Sequence, residues 1–135
     1  MSDEHKVVQP AGWARPRGYV NGIVAEGRML FVGGQVGWDP TSETPRFPEG
    51  FAAQFEQALE NVLAVVREAE GTAESIVRMT VYVTDKHAYI AAGKDIGAAW
   101  RKHLGRHFPA MALVQVAGLL EDRAKVEIEA TAVLG

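Results

Sequence analysis

Two carboxylates on one predicted strand are the side chains best placed to do chemistry in this chain. Glu127 and Glu129 are two positions apart in the alternating segment 124–133, so both side chains point to the same face of the strand. A glutamate that is positioned against a bound water can act as a general base. The same Glu-x-Glu pattern is also typical of an ordinary solvated strand face, so the pattern alone leaves both interpretations open.

The histidines offer a weaker hint of chemistry. His103 and His107 are four residues apart, which is the spacing of a metal-binding pair on a helix. Gly105 and Pro109 interrupt the helix at that point, and no carboxylate lies close in sequence. The chain also has no cysteine, so thiolate ligands and disulfides are excluded. We therefore expect no metal site and no cofactor.

Composition excludes several classes of function. The chain has 135 residues and a net charge of −3, which is typical of one mildly acidic globular domain. No basic stripe suggests a nucleic-acid partner. No apolar run approaches the roughly 20 residues of a membrane-spanning helix, and residues 1–10 do not resemble a signal peptide. The sequence predicts a cytoplasmic domain with neither a nucleic-acid partner nor a membrane partner.

The N-terminal part of the chain is predicted to form an arm followed by a hairpin. Residues 1–18 contain Pro and Gly without an apolar period, so we interpret them as an irregular arm before a single domain at 19–135. Segments 19–25 and 29–36 predict a β-hairpin that turns at Gly27. The glycine-rich end of its second strand, which includes Gly33 and Gly34, predicts a bulge or a close approach of another backbone.

Two helices and three further strands follow. Apolar residues at spacings of three and four predict a helix over 51–70 that ends at Gly71. A second helix over 88–103 is weakened by Gly93 and Gly97, each of which costs about 1 kcal/mol relative to alanine. The remaining strands are predicted at residues 75–84, 110–117 and 124–133.

The predicted order β-β-α-β-α-β-β indicates an α+β fold. Right-handed crossovers place both helices on one face of a mixed sheet, which makes a two-layer sandwich. The other face of the sheet is then uncovered, and it shows either Met111, Leu113 and Gln115 or the residues that alternate with them. Because a large exposed apolar sheet face usually marks an interface, we expect a homo-oligomer.

Six short segments, taken in order, resemble the Rid family of reactive intermediate deaminases, also called the YjgF family. They are Gly18-Tyr19, Phe31 to Gln35, Gln54 with Ala58 and Asn61, Val77 to Asp85, Phe108-Pro109-Ala110, and Val126 to Ala130. The resemblance implies a chorismate-mutase-like fold and a homotrimer with small-molecule clefts between subunits. It also implies hydrolysis of enamines or imines to 2-keto acids and ammonia. Gln54 and Asn61 match the family, and we interpret them as residues that form hydrogen bonds within the subunit or the trimer.

The resemblance also implies roles for particular residues. It makes Glu127 the catalytic glutamate and Tyr19 a substrate-binding residue. The other predicted substrate-binding positions are Gly33 and Gly34, where the family has a Ser-Gly pair; Met111, where it has a carboxylate-binding arginine; Leu113, where it has a cysteine; and Trp100, which either walls the cleft or packs in the core.

The methionine decides which reaction we expect. Met111 cannot form the bidentate hydrogen bonds with which an arginine holds a carboxylate. We therefore predict hydrolysis of a small, relatively apolar imine or enamine by Glu127 and water, rather than the standard 2-imino acid deamination. The alternative is a non-catalytic trimer that binds a metabolite or acts as a chaperone. Ribonuclease activity, which is often attributed to the family, is disfavoured by the acidic charge.

Overall fold

The computed structural model describes residues 5–135, so the first four residues of the predicted arm 1–18 lie outside the described part. The strands are β1 (Lys6–Val8), β2 (Gly22–Val24), β3 (Arg28–Val36), β4 (Ile76–Val83), β5 (Ala110–Gln115) and β6 (Val126–Leu134). The helices are α1 (Phe51–Glu68), α2 (Lys86–Ala91) and α3 (Gly93–Leu104), and a short 3-10 turn precedes β4. Among the described residues, no helix combines the length and apolarity needed to cross a bilayer.

One mixed four-stranded sheet organises the chain, in the order β3-β6-β4-β5. Strand β6 runs antiparallel to both β3 and β4, whereas β4 and β5 are parallel. Helix α1 packs on β3, on β6 and against α3, so the helices form one layer and the sheet forms the other. The predicted α+β two-layer sandwich is confirmed.

Alternation along the central strands separates the two faces of the sheet. Met79, Val81 and Val83 of β4 are fully buried against the helix layer, together with Val126 and Ile128 of β6. No helix of residues 5–135 covers the opposite side, and we call it the open sheet face. Its central residues are Thr80, Tyr82, Glu127, Glu129 and Thr131.

The predicted hairpin of residues 19–25 and 29–36 is wrong. Strand β2 pairs antiparallel with β1, with Lys6 opposite Val24, whereas β3 pairs with β6. The arm is therefore not irregular throughout, because residues 6–8 form a strand. A turn residue such as Gly27 reports only that the chain changes direction, so it cannot show that distant segments compete as pairing partners.

The helix ends follow local chemistry, with one correction. Asp85 accepts hydrogen bonds from the amides of His87 and Ala88 and so caps α2. At the end of α1, Glu70 has a φ of 67°, and the amide of Gly71 donates to the carbonyl of Val66 at 2.9 Å. This is a Schellman motif in which Glu70, rather than the predicted Gly71, takes the left-handed conformation. The second predicted helix is divided at Ala92 into α2 and α3.

Candidate functional site

Glu127 lies on the open sheet face, directly against the backbone of Gly34. Its neighbours Val126 and Ile128 are fully buried, so strand alternation directs the carboxylate away from the core. A Cβ atom added to Gly34 would overlap the Glu127 carboxylate. Position 34 must therefore be glycine if the carboxylate is to stay where it is.

A bulge in β3 produces this arrangement. The pairing of β3 with β6 changes register between Val32 and Gln35, so the glycine pair adds one residue to its strand. The predicted bulge is confirmed. Beyond it, Gly37 lies so close to the backbone of Gln54 on α1 that a Cβ there would overlap the Gln54 carbonyl group. The prediction offered a bulge or a close approach, and the structure contains both.

The buried side-chain amides of Asn61 and Gln54 anchor the end of β3 and the start of β6, the two strands that place Glu127 against Gly34. Asn61 donates from Nδ2 to the carbonyls of Val36 and Trp38, at 3.1 and 3.0 Å, and so anchors the end of β3 to α1. Gln54 donates to the carbonyl of Arg123 at 3.1 Å and accepts from the amide of Lys125 at 2.8 Å, just before β6 begins. The prediction that both amides bond within the protein is confirmed.

Glu129 has a side-chain hydrogen-bond partner, whereas Glu127 has none among the described residues. The hydroxyl of Tyr82 donates to Glu129 at 2.9 Å, and this hydrogen bond raises the pKa of Tyr82. Tyr82 is also paired across the sheet with Glu127. Within residues 5–135, the Glu127 carboxylate has no side-chain hydrogen bond and no ion pair. It therefore remains available to a bound water or ligand.

Met111 and Leu113 point to the other side of the sheet. They are paired with the buried Met79 and Val81, and both pack against the core under the helix layer. Of the two alternatives for the uncovered face, the one that exposed Met111 and Leu113 is wrong. The alternating residue Val114 is the exposed one, at 41%.

A cavity of about 440 Å³ lies on the helix side, between the α2–α3 pair and β5, and we call it the helix-side cavity. Met111 and Trp100 both line it. Trp100 is 7% exposed, stacks on Phe108 with ring centroids 5.8 Å apart, and donates to the carbonyl of His107 at 3.0 Å. Trp100 packs in the core, as one of its two predicted roles has it, and it also lines this cavity. Its predicted role as a wall of a ligand cleft between subunits stays a prediction.

Tyr19 lies beside that cavity rather than beside Glu127. Its side chain is 42% exposed and lines a neighbouring cavity of about 610 Å³ together with Trp13 and Arg106. Gly18 and Phe108 line both cavities. Within one chain, Glu127 therefore lies beside Gly34 on the open sheet face. Met111, Trp100 and Tyr19 lie apart from it, around the two neighbouring cavities.

His103 and His107 contact different partners rather than each other. His103 Nε2 lies 2.8 Å from Glu56 and 3.4 Å from Glu60, whereas His107 Nε2 lies 2.7 Å from the carbonyl of Ile76. The hydrogen bond from His103 lowers the pKa of Glu56. Glu56, Glu60 and His103 are close enough to hold a metal ion, but the hydrogen bond between His103 and Glu56 and the ion pair of Lys102 with Glu56 already account for the cluster.

Two residues near the candidate sites are not predicted from the sequence. Tyr82 lies beside Glu127 because β4 pairs with β6, and the sequence does not show that pairing. Arg101 lines the helix-side cavity. The signal for it was the spacing of Gly93, Gly97 and Arg101 along one side of α3. Another cavity, of about 780 Å³, lies elsewhere, and its lining includes Gln54, Arg123 and Lys125.

Comparison with known proteins places these observations in a family. The family model described as endoribonuclease L-PSP matches residues 13–134. The 2-iminobutanoate/2-iminopropanoate deaminase of Escherichia coli K12 is 37% identical over 115 residues, which cover 85% of this chain and 86% of that protein.

Two solved structures are also similar. The Rid-family protein YyfB of Yersinia pestis has a TM-score of 0.82 and 28% identity, and the match covers 96% of this chain and 98% of that one. Escherichia coli TdcF with bound serine has a TM-score of 0.70 and 33% identity, with 96% and 99% covered. The chain therefore belongs to the endoribonuclease L-PSP family, which includes the Rid proteins.

Proposed function

We propose that this protein hydrolyses a small imine or enamine and that Glu127 activates the attacking water. The observation that carries the proposal is the carboxylate of Glu127, which lies over the bare backbone of Gly34 and has no side-chain partner within the described residues. A carboxylate within hydrogen-bond reach of water can act as a general base. The reaction class is that of the related deaminase from Escherichia coli.

The chemistry needs one water and one proton relay. Glu127 removes a proton from the water as its oxygen bonds to the carbon of the C=N group, and it passes that proton to the nitrogen to give a carbinolamine. Glu127 then takes the hydroxyl proton of the carbinolamine and delivers it to the nitrogen as the C=O bond forms and the carbon–nitrogen bond breaks. The products are one carbonyl compound and one ammonia for each imine and water consumed. Gly33 and Gly34 leave the backbone open to the ligand in this scheme.

The substrate differs from a standard short 2-imino acid. Met111 stands where the family resemblance puts the carboxylate-binding arginine, and a charge-assisted hydrogen bond contributes about 1.5–3 kcal/mol. Losing such a pair of bonds weakens binding by roughly tenfold for every 1.4 kcal/mol. Met111 and Leu113 instead favour a ligand with an apolar body, which Trp100 and Tyr19 would contact.

The complete site is proposed to form between copies of the chain in a homotrimer. One chain holds Glu127 on the open sheet face and Met111 on the helix side, so a neighbouring copy is needed to bring the two groups together. The exposed apolar side chains of β3 support this assembly, because Phe31 is 71% exposed and Met29 is 57% exposed. Met29 and Phe31 are two positions apart on β3 and so share a face, and contiguous exposed apolar surface is typical of an interface.

The test is ammonia release from a panel of enzymatically generated imines, measured with a coupled dehydrogenase. We expect the protein to accelerate the hydrolysis of imines with apolar side chains and Glu127→Gln to lose that acceleration by at least about 100-fold. The exposed residue Glu74, changed to Gln, is the matched control and should keep full activity. If no imine in the panel is turned over but one of them raises the melting temperature, the non-catalytic binding trimer replaces this proposal.

A further inference from the structure

Among the described residues that line the helix-side cavity, Arg101 is the one with a charged side chain, and it is exposed to solvent. The other residues that line it are apolar or aromatic side chains and glycines, with Phe55, Ile96 and Met111 among them. Tyr89 also lines the cavity, and its ring packs on Phe51 with centroids 6.1 Å apart. The cavity thus offers an apolar body with a single guanidinium group. Its volume of about 440 Å³ falls within the range of small-ligand sites.

The sequence of α3 makes room for that guanidinium group. Gly93, Gly97 and Arg101 are four residues apart, so they lie along one side of the helix. A Cβ atom at Gly93 would meet nothing within 4 Å, and one at Gly97 would lie 3.4 Å from Nη1 of Arg101. The arginine therefore folds back along the helix over Gly97, beside the cavity.

Helix packing does not require either glycine. Glycine inside a helix weakens it relative to alanine, and no close backbone approach compensates at these two positions. A local rule that is broken without a structural gain often marks a functional position. Here the gain is an open cavity wall that the guanidinium group can reach.

The guanidinium group of Arg101 is also available. Within residues 5–135 it forms no ion pair, whereas the adjacent Lys102 lies 3.3 Å from Glu56. The carboxylates of Glu56 and Glu60 on α1 are engaged by His103. No carboxylate of the described chain therefore competes with a ligand for Arg101.

We propose that Arg101 is the anion-binding residue of this protein and that the helix-side cavity takes a carboxylate with an aryl-sized apolar body. The inference rests on the proposed function for the reaction and adds its substrate class, the imine or enamine of an apolar carboxylic acid. The guanidinium fork holds a carboxylate through paired hydrogen bonds. In this protein the fork comes from helix α3 rather than from strand β5.

The test compares two probes of the same shape, 4-phenylbutyrate and its neutral amide, by isothermal titration calorimetry. We expect the wild-type protein to bind the carboxylate at least about tenfold more tightly than the amide. Arg101→Gln should remove this preference and leave amide binding unchanged. Lys94→Gln is the matched control, because it removes the same charge from an exposed position on the same helix and should keep the preference.

A second variant locates the binding. Gly97→Leu, which fills the cavity wall, should weaken both probes. The inference is overturned if the wild-type protein binds acid and amide equally, if Arg101→Gln weakens both probes alike, or if Lys94→Gln matches Arg101→Gln. Its failure differs from failure of the proposed function: selective binding without imine turnover contradicts only the reaction, whereas turnover that is indifferent to Arg101→Gln contradicts only the substrate class.

Discussion

The open sheet face and the helix-side cavity lie on opposite sides of one sheet and depend on different kinds of interaction. On the open sheet face, Glu127 is held by backbone geometry, namely the Gly34 bulge and the buried amides of Asn61 and Gln54. In the cavity, Trp100 belongs to the hydrophobic core. We infer that the sheet face can change its chemistry with little loss of stability, whereas a change in the cavity alters both binding and folding.

The largest expected effect is on the cavity side. Trp100→Ala should lower the free energy of unfolding by about 3 kcal/mol, because it removes a buried aromatic side chain and its hydrogen bond to His107. Glu127→Ala should change it by less than about 0.5 kcal/mol, as is usual for a surface position. Urea denaturation measures both values. Equal losses for the two variants would remove the distinction between the regions.

A smaller loss of stability is expected when the hydrogen bonds that anchor the end of β3, beside the open sheet face, are removed. Asn61→Ala leaves the carbonyls of Val36 and Trp38 without their buried donor and should cost about 2 kcal/mol. Because these carbonyls follow the bulge, imine hydrolysis should fall as well. The exposed amide of Asn21, changed to Ala, is the control. A loss of stability with unchanged hydrolysis would mean that the amide does not position the site.

The smallest expected effect concerns the hydrogen bonds of Lys102 and His103 with Glu56, which join α3 to α1. The hydrogen bond from His103 lowers the pKa of Glu56 in the folded protein. A lowered carboxyl pKa contributes stability above the unfolded pKa, and that contribution is lost as pH falls through the folded pKa. Glu56→Gln should therefore reduce stability slightly at pH 7 and not at pH 3, in chemical denaturation at both pH values. A variant that is equally destabilised at both would contradict the pair.

Local periodicity predicted most of the fold. The apolar spacing in α1 and the strict alternation in β4 and β6 each depend on residues close in sequence. The sequence alone therefore predicts these elements. The same alternation placed Glu127 and Glu129 on one face, as the structure has them. The glycine run before Gln35 predicted its bulge, because few other features explain paired glycines at the end of a strand.

What was missed depends on pairing between distant segments. Strand β2 pairs with β1, and nothing in residues 19–36 indicates that Lys6–Val8 is available as a partner. The side on which Met111 lies depends on its register with Met79 across the sheet. A shift of one residue would have reversed that side, so alternation within β5 alone left two alternatives. The spacing of Gly93, Gly97 and Arg101 is visible in the sequence, but the cavity that Arg101 lines forms only when the helices pack, so the spacing alone did not predict its proposed role.

The central claim is that Glu127 of one copy and Met111 of another complete a single site. The most direct test co-expresses Glu127→Gln and Met111→Trp chains with different tags, isolates the mixed trimers and measures imine hydrolysis. Each homotrimer should be inactive. Every mixed trimer should recover about a third of wild-type activity, because one of its three sites joins an intact Glu127 to an intact Met111. Mixed trimers as inactive as both parents would contradict the claim.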